Sequence, residues 1–304
     1  MDLFDPVSVA VPFFILLIVV EIVLWRITGR VRYEARDAAA SLVMGLGSTI
    51  VGALYAGVFA ALYGGVYHVR LFDIGFAWWA FPLAFLLDDF AYYWFHRWSH
   101  EVRWFWAAHV IHHSSQHYNL TTALRQTWTT PLTGLFLLNV PIIWLGIHPA
   151  IAALASGINL VYQFWIHTEA INKLPAPVEA VFNTPSHHRV HHATNPRYLD
   201  ANYAGTFIVW DRIFGTFIPE DAAEPCRYGI VKNLGTFNPL VIAFHEWLGI
   251  FRDWLGARSL RDWWGYTFGA PGWSPDGSRK TSRALKEDWA KAQDAPPPGP
   301  AAAG

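Results

Sequence analysis

The stretch from Ile74 to His100, IGFAWWAFPLAFLLDDFAYYWFHRWSH, carries an apolar run of helical length straight into a His-x3-His pair. Residues four apart share one face of an α-helix, so His96 and His100 aim their rings the same way. The device recurs downstream as His109-x2-His112-His113 and His188-x2-His191-His192, and these three clusters take eight of the fourteen histidines. A lone His-x3-His pair is often just a core or surface feature. Burying eight imidazoles without a metal is different, because many polar nitrogens would then lack partners. Imidazole is the commonest protein ligand for iron, zinc and copper, and a set with no cysteine and few carboxylates suits such ions better than calcium or magnesium. The clusters read as a dinuclear metal site.

Working outward, the composition points to a membrane. The chain is 53% hydrophobic, 16% aromatic and only 15% charged, against roughly a quarter charged in soluble domains. Apolar runs occupy residues 8 to 25, 38 to 67, 74 to 95 and 130 to 166. Crossing the hydrocarbon takes about 20 residues of helix, so the first three qualify singly. The fourth reads as a hairpin joined near Gly146-Ile147-His148-Pro149. No cleavable signal is expected, since Met1-Asp2 lacks a basic start and Glu21 interrupts the first run.

Charge then gives the orientation. Asp2 and Asp5 precede the first run, whereas Arg26, Arg30, Arg32 and Arg36 follow it, which places the loop from 26 to 37 in the cytoplasm. The second run leads outward and the third returns, bringing His96 to about Thr127 to the cytoplasmic side. The hairpin brings His167 to the same side. The expected fold is an all-α integral membrane protein, a bundle of about four to five transmembrane or re-entrant helices under a cytosolic histidine-rich metal-binding cap. Residues 1–280 form one expected domain, with the boxes inside 85–220, and the Pro/Ala/Gly-rich tail 281–304 is expected to be disordered. The single Cys226 excludes an internal disulfide framework. A net charge of −1 gives no reason to expect nucleic acid.

Residues around the boxes add candidates. Asp89 lies two helical turns before His96, and a carboxylate in an apolar run needs a partner, so it is expected to orient a ligand imidazole. Glu101 follows His100 and is weighed as a general base or cofactor anchor against a solvated charge. His167 ends the hairpin and His187 abuts the third box; both are added as candidate ligands. Asn119, Arg125 and Gln126 follow the second box and are candidate contacts for a cofactor or a polar headgroup. Asp200, Asn202 and Tyr203 lie close enough to the third box to orient it. Asp211 and Arg212 read as a local pair, and His68, His117, His148 and His245 as ordinary interfacial or core residues.

The boxes, their intervals, and the strings Tyr92-Tyr93-Trp94-Phe95-His96-Arg97, His112-His113-Ser114-Ser115, Asn183-Thr184-Pro185-Ser186-His187-His188-Arg189-Val190-His191-His192 and Trp210-Asp211-Arg212-Ile213-Phe214-Gly215-Thr216-Phe217 resemble the fatty acid hydroxylase/sterol desaturase superfamily. Asn119 to Gln126, Tyr162 to Glu169, Asn202-Tyr203-Ala204-Gly205 and Gly272-Trp273 are similar to its alkylglycerol monooxygenase branch and bacterial relatives. The resemblance spans roughly residues 85 to 220. It implies a membrane-embedded non-haem di-iron oxidoreductase that uses dioxygen on a lipid C–H bond, with His96, His100, His109, His112, His113, His188, His191 and His192 as ligands. In that branch the hydroxylated carbon adjoins an ether oxygen, the product collapses to a fatty aldehyde and a glycerol derivative, and tetrahydrobiopterin is the reductant. Other branches hydroxylate or desaturate sterols, fatty acids or carotenoids through a protein electron donor.

Two other classes remain open on sequence alone: a zinc hydrolase or isomerase built on the same cage, and a non-catalytic membrane protein. The second fits less well, because the clusters lie beyond the apolar runs rather than at mid-membrane. The expected location is a multi-pass protein of a membrane, the bacterial inner membrane before the endoplasmic reticulum, with the metal site on the cytoplasmic face.

Overall fold

A computed structural model describes residues 5–294, and these are helical, with thirteen α-helices, short 3-10 turns and isolated bridges but no named strand among them. Helix α1 (Pro6–Thr28) opens where Asp5 accepts from the Val7 and Ser8 amides at 3.1 and 3.2 Å, with Pro6 placed where no amide donor is needed. Helix α2 (Ala35–His68) opens on Glu34, which caps the Asp37 amide at 2.6 Å. Both are long and apolar enough to cross a membrane, with mean hydropathy of 2.9 and 1.8 over their best stretches. At 34 residues, α2 runs for about 51 Å, well beyond a hydrocarbon core of about 30 Å. Their apolar side chains mostly face outward, with Phe13, Leu46 and Leu54 among those left uncovered.

Helix α3 (Ala80–Glu101) is a shorter apolar element than expected. The 74–79 segment turns rather than joining the helix, and buried Asp88 and Asp89 interrupt what remains before His96. Among the described helices, α1 and α2 are the two long and apolar enough to cross a membrane. The 130–166 stretch is broken by Pro131, Pro141 and turns at Gly134 and Gly146 into α5 (Thr130–Thr133), a 3-10 turn, α6 (Val140–Trp144) and α7 (Pro149–Trp165), which His148 caps.

A stripe on α3 decides the packing. Ala80 and Ala84 are small, so α7 approaches closely through Ile151, Ala152 and Ala155; one turn further, Asp88, Asp89, Asn159 and Gln163 replace apolar contacts by hydrogen bonds. The stripe ends in His96 and His100. Helix α4 (Arg103–His113) folds back along α3 and lies against α11 (Pro239–Gly256), where Arg103 reaches Glu246 at 2.7 Å and Asp253 at 2.6 Å. The small α8 (Ala176–Val181), α9 (Pro185–His191) and α10 (Val209–Phe214) complete the cap, with α12 (Leu260–Phe268) against α11.

Two polar anchors tie the apolar helices to the cap. Glu21, buried in α1, accepts from the Leu120 amide at 2.8 Å and from the Thr168 and Tyr33 hydroxyls. Asp37 of α2 meets the fully buried Arg125 at 2.8 Å. Gly47 is required on α2, because any Cβ there would sit 2.2 Å from the Trp128 indole nitrogen.

The expected disordered tail needs a correction. Residues 282 to 294 form α13 (Ser282–Asp294), whose Ser282, Leu285, Lys286 and Trp289 make a half-covered face at helical spacing in a run of good helix formers. The Pro/Ala/Gly-rich remainder, 295–304, lies outside the described residues.

Removing one partner of a buried ion pair strands the other charge, so Arg125→Met is expected to destabilise the protein by about 3–5 kcal/mol, and Asp37→Asn added to it to recover part of that loss. Thermal unfolding in detergent of the two variants checks both values.

Candidate metal centre

The histidines converge from four segments into two adjoining groups. His96, His100, His109, His113 and His191 form one; His112, His167, His188 and His192 form the other, with the nitrogens of each group within 4.8 Å of one another. In the first, His96 Nε2 lies 3.0 Å from His109 Nε2, His109 Nε2 lies 3.1 Å from His113 Nε2, and His113 Nε2 lies 3.1 Å from His191 Nε2. In the second, His167 Nε2 lies 3.1 Å from His112 Nε2 and 2.9 Å from His188 Nε2. The rings of His113 and His192 stack at 4.3 Å, so the groups share a wall.

The main chain fixes which nitrogen faces inward. A carbonyl oxygen only accepts, so each ring nitrogen bonded to one carries the proton. His96 Nδ1 donates to Tyr203 O at 2.7 Å, His191 Nδ1 to Ala201 O at 2.9 Å, His167 Nδ1 to Gln163 O at 2.7 Å and His112 Nδ1 to Arg125 O at 3.3 Å. Each of these four rings therefore presents a bare Nε2 lone pair to its group. His112 and His167 thus oppose two lone pairs with no proton between them, and Nε2 of His100 and of His192 are buried with no partner. Burial also opposes protonation as a remedy, pushing His112 down to about 4 and His188, His191 and His192 well below the ordinary range. Bare, buried, convergent nitrogens fit a bound cation in each group, and an all-imidazole set fits a first-row transition metal.

Buried carboxylates hold the loop that supplies two of the carbonyls. Asp211 accepts from the Tyr203 and Ala204 amides, both at 2.8 Å, and from Thr216 Oγ1 at 2.6 Å; burial raises its carboxyl to about 6. Asp89 accepts from the Thr206 amide at 2.7 Å, the Phe207 amide at 3.1 Å, the Trp210 indole at 2.9 Å and Asn159 at 3.2 Å. Gly205 is required between them, because a Cβ would meet Asn159 Oδ1 at 2.8 Å and Asp89 Oδ1 at 2.9 Å.

Against the sequence expectations, the eight box histidines and His167 come together. His187 does not. Neighbours on a helix point about 100° apart, so with His188 turned inward His187 meets Glu179 at 2.8 Å, and Thr184 and Ser186 bond the same carboxylate. Asp89 orients a loop and bonds no imidazole. Glu101 pairs with Arg97 at 2.9 Å with its side chain 40% exposed, outside both groups. Arg125 pairs with Asp37, Asn119 donates to Arg32 O at 3.0 Å, and Gln126 donates to Ala123 O at 2.7 Å. Asp211 and Arg212 do not pair with each other, since Arg212 donates to Glu179 O at 3.1 Å. Asp200 lies 3.9 Å from His100 Nδ1. Tyr203, marked beside the third box, orients His96 of the first through its carbonyl, whereas the Ala201 and Gln163 carbonyls carry no sequence signal of their own.

Removing His167 takes one nitrogen from one group only. His167→Ala is expected to lower bound metal from two ions per chain towards one, whereas His187→Ala keeps both and lowers only the thermal midpoint. Elemental analysis of purified variants distinguishes the two.

Residues 81–216 match the sequence model of the fatty acid hydroxylase family. The chain is 40% identical over 276 residues to human alkylglycerol monooxygenase, covering 89% of this chain and 60% of the relative. It is 41% identical over 268 residues to the Xenopus tropicalis enzyme of the same name, covering 86% and 58%. A more distant relative is human cholesterol 25-hydroxylase, 28% identical over 152 residues, with 47% of this chain and 52% of the relative covered. The chain thus spans about 60% of the length of these two alkylglycerol monooxygenases. No solved structure matches it. The histidine-bearing stretch, residues 81–216, is thus similar to the fatty acid hydroxylase family.

Proposed function

We propose that this protein is a membrane-bound non-haem di-iron monooxygenase that hydroxylates the carbon next to the ether oxygen of an alkylglycerol. The observation that carries the reading is the pair of buried imidazole groups in a chain 40% identical to an alkylglycerol monooxygenase over 276 residues. One oxygen atom of dioxygen enters the C–H bond and the other leaves as water, with two electrons and two protons from a reductant. The resulting hemiacetal breaks its ether C–O bond to give a fatty aldehyde and a glycerol product.

His96, His100, His109, His113 and His191 would hold one iron and His112, His167, His188 and His192 the other. Iron in such a site supplies a redox centre able to bind and reduce dioxygen. The protein's part is to keep the imidazoles neutral and aimed, through the four Nδ1–H bonds to carbonyls, and to keep water away through burial. Tetrahydrobiopterin is the proposed reductant, with an electron-donor protein in its place if the substrate is a sterol, fatty acid or carotenoid. Glu101, which pairs with Arg97 beside the first box and keeps its side chain 40% exposed, is the proposed contact for that reductant.

We propose a multi-pass protein of a membrane, the bacterial inner membrane before the endoplasmic reticulum, with the metal site on the cytoplasmic face. Support comes from the arginine-rich 26–37 segment between the two apolar helices and from the anchoring of both helices to the histidine cap by Glu21 and Asp37.

Purified iron-loaded protein is expected to release fatty aldehyde from an alkylglycerol only with oxygen, and to need tetrahydrobiopterin for repeated turnover. Iron-loaded protein that yields no aldehyde with oxygen and the pterin would move the assignment to another lipid and a protein donor.

A further inference from the structure

Helix α11 is patterned the wrong way round for a helix that faces water. Leu240, Phe244, Leu248, Phe251 and Leu255 recur every three or four residues, so they form one stripe along the helix, and all five are exposed. Its acidic residues point inward instead. Glu246 and Asp253 meet the buried Arg103 at 2.7 and 2.6 Å, on the side where Ile242, Ala243 and Ile250 are buried. Helix α12 repeats the pattern, with Leu260, Trp264 and Phe268 exposed at four-residue intervals. Leu255 and Leu260, 74% and 90% exposed, flank the turn between the two helices, and Trp254 stacks on Trp263 at 4.9 Å across it. An apolar face of that length is unfavourable in water.

Charge and continuity identify what covers it. Arg252 borders the α11 stripe, while Arg258 and Arg261 lie at the turn and on α12, and all three are exposed. The neighbouring acids are occupied: Asp253 pairs with Arg103 and Arg279, and Asp262 accepts from the Arg258 amide at 3.1 Å. An apolar stripe edged with arginines suits an anionic lipid surface, where rings and methylenes enter the acyl boundary and guanidiniums meet phosphates. Ile242 and Ala243 of α11 also pack on Ala40 and Met44, in the first three turns of α2, which is one of the two helices long and apolar enough to cross a membrane. The exposed Arg32 and Arg36 lie at that same end of α2. A bilayer crossed by α2 therefore reaches its surface beside α11.

We propose that α11 and α12 form an interfacial hairpin in the headgroup region of an anionic membrane leaflet, with the apolar stripe among the upper acyl chains and Arg252, Arg258 and Arg261 at the lipid phosphates. The hairpin gives the histidine cap a membrane contact of its own, besides α1 and α2. Helix α11 packs on Ile111 of α4, so the bilayer surface runs one helix away from the segment that carries His109, His112 and His113, with about 8–10 Å between the two axes. The inference does not depend on which reaction the metal centre performs.

The test uses the full chain in lipid nanodiscs. In a Cys226→Ser background, a nitroxide is attached at Phe251→Cys or Leu260→Cys, with Leu54→Cys on the exposed face of α2 as the lipid reference and Lys291→Cys on α13 as the water reference. Power saturation then reads collisions with oxygen, which concentrates in acyl chains, and with a water-soluble nickel chelate. In discs containing phosphatidylglycerol, the labels at Phe251→Cys and Leu260→Cys are expected to favour oxygen as the Leu54→Cys label does, and the Lys291→Cys label to favour nickel. Combining Arg252→Glu, Arg258→Glu and Arg261→Glu is expected to raise nickel collisions at Leu260→Cys several-fold in those discs and to leave them unchanged in phosphatidylcholine discs. Metal content and thermal midpoint show that each variant is folded. Nickel collisions at both sites equal to those at Lys291→Cys overturn the proposal, because the face is then wet. Few collisions with either probe overturn it in favour of a protein cover, a second copy included, and charge reversal without effect in either lipid overturns the anionic surface. None of these readings uses turnover, so the hairpin and the monooxygenase reading fail separately.

Discussion

Hydrogen bonds from ring Nδ1–H groups to main-chain carbonyls are the constraint on which the rest of this structure depends. Tyr203, Ala201, Gln163 and Arg125 each supply one carbonyl, and each bond turns a bare Nε2 inward. An imidazole free to flip would offer either nitrogen, or hydrogen bond to its neighbour and quench both lone pairs. Fixing the tautomer of four rings converts a crowd of histidines into a ligand set. The remaining architecture keeps those carbonyls in place.

That explains why so many polar groups are buried where they touch no metal. Asp211 and Asp89 spend their oxygens on amides of the 203–207 loop, and Asn159 bridges Asp88, Asp89 and Thr206. Glu179 gathers Thr184, Ser186 and His187 around the start of α9. An unpaired buried carboxylate is costly, yet a carboxylate with several donors rigidifies whatever supplies them. The metal groups are thus enclosed in a second layer of satisfied anions, and Gly205 marks where that layer leaves no room for a side chain.

How much of this was legible follows from what a sequence writes down. Helical spacing is local, so the boxes announced themselves, and His167 could be found because the hairpin had to end beside them. His187 carried the same letter at nearly the same place, but one residue of helical rotation turns it to Glu179. Asp89 was rightly marked as needing a partner; the partners are backbone amides more than a hundred residues on, which no spacing rule reaches. Arg125 read as a candidate cofactor or headgroup contact because nothing local reveals that Asp37 lies across from it. Helix-forming residues from 282 to 294 were masked by the proline-rich composition that follows them. The apolar runs were read correctly as hydrophobic, but prolines and turns divide the last of them, and length alone did not reveal that.

The two histidine groups draw on α3, α4, the end of α7 and α9, so no group exists until the segments from residue 96 to residue 192 have docked. Contacts between residues so far apart in the chain form late, after the loop-closure cost of the intervening helices has been met. Until a cation arrives, the docked state also holds lone pair against lone pair and should open readily along the α9 seam. A cation in each group would relieve that opposition, so metal-free chains are expected to present α9 and its flanking loops to proteases more readily than metal-loaded ones.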